Sequence, residues 1–187
     1  MKHPTIRRWR RRDAAPGQSL VEFALTLPIF SLILMGVLEF GFLYNNLLTV
    51  QFAARQGVSA AAQAGGVDGA DCSILNAIEL ALTVPVDRSD IDRVEIFRSD
   101  TDGDPIGSEI NTYTRGGTLT CHGTDDQPYT LVGSEGYPQV GRKDALVEGL
   151  DIVGVRIHYD YHAITPVGAG RTWDLTDAAT LRMEPKQ

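Results

Sequence analysis

Two carboxylates set inside an otherwise apolar run are the residues whose placement most demands a chemical explanation. Glu22 and Glu39 are the only charges in Leu20–Tyr44, LVEFALTLPIFSLILMGVLEFGFLY. A carboxylate at the centre of a membrane-spanning helix costs about 3 kcal/mol, less toward its edges, so a partner or an exit to water is required. Other clusters invite chemistry and do not complete it. Asp100, Asp102 and Asp104 in SDTDGDPIG take the first, third and fifth positions of a calcium loop, but the sixth is Pro105 instead of glycine and the twelfth is Asn111 instead of glutamate. A polar hairpin tip is the simpler reading. His158 and His162 fall on one face of a strand at a separation of about 13 Å, too far apart to share a metal, and are expected on the sheet's polar side. No G-x-S-x-G, H-E-x-x-H, P-loop or G-x-G-x-x-G stands in a fitting context. We therefore assign no catalytic residue, no metal site and no cofactor, and expect a protein that is not an enzyme.

The elements around the two acids follow from charge and periodicity. The first seventeen residues carry Lys2, Arg7, Arg8, Arg10, Arg11 and Arg12 against Asp13, a balance of +5 in a chain whose net charge is −7, so the remainder carries −12. A basic tip on an acidic body argues against nucleic acid as the main partner, because phosphate binding needs a basic face on the folded domain; an RNA-binding arm is the alternative for the tip. A helix over Leu20–Tyr44 rises about 36 Å, enough to cross a hydrocarbon core about 30 Å thick with some tilt. The arginines before it place the amino terminus in the cytoplasm, and the body in the periplasm or its equivalent. The nearest A-x-A, Ala62-Gln63-Ala64, lies some twenty residues past the apolar run, too far for ordinary signal cleavage. Arg7-Arg8 matches a twin-arginine signal by dipeptide alone.

Helical periodicity continues through Leu47, Val50, Ala54, Val58, Ala61 and Ala62 until Gly65-Gly66 stops it. A second helix is predicted over ADCSILNAIELALTVP, capped by Asp71 or Ser73 and ended by Pro85. Strand alternation marks residues 94–97, 151–164 and 172–183, whereas 99–143 reads as loops and hairpin tips because it is rich in Gly, Asp, Thr and Pro. The fold class expected is α+β: a long N-terminal transmembrane helix continuing into a soluble head, where a small antiparallel sheet packs on helix. Cys72 and Cys121 lie on the same side of the apolar run and can pair if that side is oxidising, closing a loop of about fifty residues worth roughly 4 kcal/mol. Two unpaired thiols are the alternative.

The segment GQSLVEFALTLPIFSLILMGVLEFGFLYNNLLTVQFAARQGVSAAA resembles the TadE-like family of tight-adherence pilus systems. The matching residues are Gly17, Val21, Glu22, Phe23, Pro28, Glu39, Phe40, Gly41, Ala53, Ala54 and Arg55, over roughly a quarter of the chain. TLRMEP at the carboxyl end also resembles the final strand of many family members. The resemblance implies a pilin-like fold, a pseudopilin or minor pilin, and processing by a prepilin peptidase between Gly17 and Gln18, with Glu22 and Phe23 completing the recognition segment. Glu22 would then pair with the new Gln18 amine of a neighbouring subunit. The implied partners are other pilin-type subunits, the assembly machinery, the peptidase and membrane lipid. The organisation expected is a cytoplasmic leader over 1–17, the TadE-like helix over 18–64, and an extracytoplasmic head over 65–187. The alternatives are a signal-anchored envelope protein whose head binds a ligand, with Glu22 snorkelling or protonated, and a hydrolase with an unrecognised site.

Overall fold

A single helix, α1 (Pro16–Ala64), packs against the second helix and the last two strands of the chain and leaves its N-terminal half outside the head. The computed structural model describes residues 16–121, 125–146, 149–166 and 168–185, so residues 1–15 of the expected leader over 1–17 lie outside the described residues. After α1 come α2 (Ala70–Ala81), β1 (Ile91–Ser99), β2 (Pro105–Leu119), β3 (Gln127–Leu131), β4 (Ile152–His162) and β5 (Thr172–Arg182). The strands form one antiparallel sheet in the order β3-β2-β1-β4-β5. The class is α+β, with α1 and α2 packed on one face of the sheet.

Residue size explains which part of α1 is covered. From Val50 onward the inward positions are small: Ala53, Ala54 and Ala61 are fully buried. A Cβ at Gly57 would press on the Ile78 side chain of α2 and approach Val155 of β4. Such residues let two helices and a sheet approach closely, and the core they share includes Ile74, Leu75 and Ile78 of α2 with Val94, Ile96, Val153, Val155 and Ile157 of the sheet. Gly65 ends α1 at φ 66°, its N–H returning to the Ala61 carbonyl at 3.1 Å.

Three expectations are corrected. The stretch 99–143 contains two strands, one of them 15 residues long. Their inward positions are Asn111, Tyr113 and Tyr129, which bury polar and aromatic groups where an aliphatic pattern would have announced a core. Neither Asp71 nor Ser73 caps α2; Gly69 occupies that position, and the helix ends at Ala81, before Pro85. Asp71 is instead drawn into the interior, where it pairs with Arg142 at 2.6 Å, both side chains essentially fully buried. Asn111 and Tyr113 donate to its other oxygen at 2.9 and 2.7 Å, and the Arg142 guanidinium lies 4.6 Å above the Tyr137 ring. Burying an ion pair is expensive, and these added donors offset part of that cost.

The calcium-like run is the tip of the β1–β2 hairpin. Asp100 there accepts from the Asp102 and Asp104 amides, both at 2.9 Å, turning the chain with its own carboxylate.

Candidate functional site

The exposed half of α1 begins with the four residues singled out for processing. Pro16 opens the helix, a position where its missing N–H costs nothing. Gly17, Gln18, Glu22 and Phe23 then occupy its first two turns, all exposed to the surroundings. The Gln18 amide donates to the Glu22 carboxylate at 3.3 Å, one turn apart, the only hydrogen bond to that carboxylate among the described residues. Thr26 donates to the Glu22 and Phe23 carbonyls, each at 3.1 Å, and the helix continues unbroken through Pro28.

None of the apolar window of this helix is buried by the other described residues. Leu20, Leu25, Phe30 and Phe40 are each about 70% exposed, so this half of α1 presents apolar side chains on all sides, as a helix surrounded by lipid or by other helices does. Helix α1 is long and apolar enough to cross a membrane. From Gln18 to Leu38 it rises about 30 Å, the thickness of a hydrocarbon core.

Glu39 stands where this apolar half meets the head, and it carries a role that its position in a motif did not disclose. Its side chain is nearly buried under the turn joining β4 to β5. One carboxylate oxygen accepts from the Tyr161 hydroxyl at 2.8 Å and the Ile164 amide at 3.2 Å; the other accepts from the Thr165 amide at 2.8 Å. The second carboxylate is therefore a latch, satisfied within its own chain, that fixes the hairpin to α1 at the end of the apolar stretch. Two turns further on, Asn46 accepts from the Tyr159 hydroxyl at 3.1 Å. Burial and the Glu39 carboxylate together push the Tyr161 hydroxyl well above its ordinary pKa, so it remains a donor. A signal for the latch was present in the alternation of β4, which puts Tyr159 and Tyr161 on the inward face, where buried hydroxyls need acceptors. It did not say which acceptor.

The remaining candidates are engaged elsewhere. Cys72 and Cys121 form a disulfide with Cα atoms 5.8 Å apart, tying the first turn of α2 to the end of β2. On the sheet's polar face, His158 lies 3.4 Å from Glu95 and 3.1 Å from Thr176, whereas His162 lies 3.5 Å from Asp90 and 3.2 Å from Thr172. The two histidines thus serve different partners. Among the described residues no group of three His, Cys, Asp or Glu is placed to hold a metal ion.

Comparison with known proteins gives one match. Residues 17–65, which are 49 of the chain's 187, match the family model described as TadE-like protein. No curated protein and no solved structure matches the chain. The match takes in both acids, the whole exposed half of α1 and the close-packed Ala-Gly segment. It relates the chain to a structural, non-enzymatic kind of protein associated with tight-adherence pilus assembly.

Proposed function

From the TadE-like segment at residues 17–65, we propose that this chain is a non-enzymatic minor subunit, a pseudopilin or minor pilin, of a tight-adherence pilus system. In this reading the arginine-rich leader stays in the cytoplasm and α1 crosses the cytoplasmic membrane once. A prepilin peptidase cuts between Gly17 and Gln18, and the head stands outside. The observation that carries the proposal is the division of α1: the apolar window of its N-terminal half is not buried by the other described residues, and its C-terminal half is locked into a head. A helix so divided is suited to pack among other helices while holding a folded domain beyond them.

Glu22 supports the same reading. Its carboxylate lies about 6 Å, one helical turn, past Gln18, and among the described residues it has only a long bond from a neutral amide. Glu39, about 26 Å further along, already has three donors. Of the two acids, Glu22 is the one with no cation among the described residues, and the α-amine created at Gln18 of a neighbouring subunit would supply one.

The test is the amino-terminal sequence of membrane-extracted protein from cells with and without the prepilin peptidase. A peptidase-dependent start at Gln18 is expected. An unchanged arginine-rich start in both strains would overturn pilin-type processing and leave an anchored head.

A further inference from the structure

A groove of about 320 Å³ opens beside the Glu39 latch, between α1 and the start of β5. Gly36, Phe40 and Leu43 form its helix side, and Trp173, Arg171 and Gly168 form its head side. We propose that this groove holds one phospholipid from the leaflet in contact with the head, its acyl chain beside Gly36 and Phe40 and its phosphate on Arg171.

Position supplies the first argument. The groove starts in the exposed apolar half of α1 and ends at the latch, so it spans the level where hydrocarbon gives way to headgroups if α1 crosses the bilayer. The inference rests on that crossing and not on a role in a pilus. Trp173 stacks on Tyr161 with ring centroids 5.8 Å apart, an aromatic pair of the kind that settles at a membrane interface.

Charge supplies the second. Arg171 lines the groove and is exposed, and among the described residues its guanidinium has no carboxylate partner. Glu39 also borders the groove, but both its oxygens are turned to donors of the hairpin. The uncommitted charge at the mouth is therefore a planar cation suited to bidentate phosphate binding.

Size supplies the third. Two turns of a second helix fill about 850 Å³ as a cylinder about 10 Å across, which this groove cannot take, whereas a segment of a single narrow acyl chain can enter from the lipid.

The experiment is native mass spectrometry of the full-length chain, released from detergent after titration with dioleoylphosphatidylglycerol. One retained lipid is expected on the wild-type chain. Arg171→Gln should lower the retained fraction about tenfold, as expected for the loss of one charge-assisted hydrogen bond. Gly36→Leu should lower it as well by filling the groove, since nothing within 4 Å obstructs a side chain there. Arg182→Gln, at the far end of β5, should retain lipid like the wild type. Unchanged retention in both groove variants, in chains that still resist a carbonate wash of their membranes, overturns the groove alone. A wild-type chain released by that wash overturns the crossing and the groove with it. Displacement of the lipid by inorganic phosphate, or a disulfide-linked dimer through Gly36→Cys, would overturn the lipid as occupant.

Discussion

Replacing Glu39 by glutamine removes one negative charge and one acceptor from the latch while preserving its shape. The carboxylate accepts from the Tyr161 hydroxyl, the Ile164 amide and the Thr165 amide at 2.8, 3.2 and 2.8 Å. A glutamine oxygen can keep the first two, but its amide nitrogen then confronts the Thr165 N–H, donor against donor. Losing one charge-assisted bond to a buried acceptor costs about 2–3 kcal/mol. Ile164 and Thr165 lie outside the hydrophobic core cluster, so the loss should stay local. If the hairpin exchanges its amide hydrogens by local opening, that energy corresponds to a roughly 30- to 160-fold acceleration at Thr165. Hydrogen exchange followed by mass spectrometry on peptides covering the β4–β5 turn would measure it, with the central strand β1 as the unaffected control. Equal exchange at the turn in wild type and Glu39→Gln would refute the latch. Acceleration in β1 as well would show that the effect is global unfolding.

Other perturbations test the head. Replacing Cys72 and Cys121 by serine opens a loop with a sequence separation of 49, and thermal melts with and without reductant should reveal a loss of about 4 kcal/mol in the chain-entropy model. Arg142→Met leaves Asp71 buried without its cation; a loss of about 3–5 kcal/mol in denaturant unfolding is expected, and Asp71→Asn in the same chain should recover part of it. Burial would raise the pKa of Glu95, but hydrogen bonding from Arg93 and the charges of His158 and Arg156 outweigh it and hold the carboxyl below its ordinary value of 4.5. Its contribution is therefore complete above that value and lost as pH falls through the lower folded-state value. Urea midpoints between neutral pH and about 3 should fall less steeply for Glu95→Gln than for the wild-type chain.

The long helix, its apolar half and the small-residue half that packs in the head were legible because each depends on local spacing. Twenty-odd apolar residues with two acids, then alanines at helical intervals and a glycine pair, dictate a helix and its end whatever surrounds it. Strand β4 was legible for the same reason, Val153, Val155, Ile157, Tyr159 and Tyr161 alternating on one face with Ile152 alone off phase. Strands β2 and β3 were not, because their buried positions are tyrosine and asparagine, whose hydroxyl and amide groups become suited to an interior only when Asp71, Glu79 and the Tyr137 carbonyl are brought to them. The two acids of the apolar run divide along this line. Sequence alone marked Glu22 as costly in lipid and in need of a partner, and placed Glu39 near the outer headgroups with no role beyond its motif. Only the tertiary structure separated them, because the donors that satisfy Glu39 lie more than 120 residues away in the chain, whereas Glu22 extends beyond the reach of the head. A latch made from backbone amides of a distant turn has no signature in residue types, since every amino acid but proline carries that N–H.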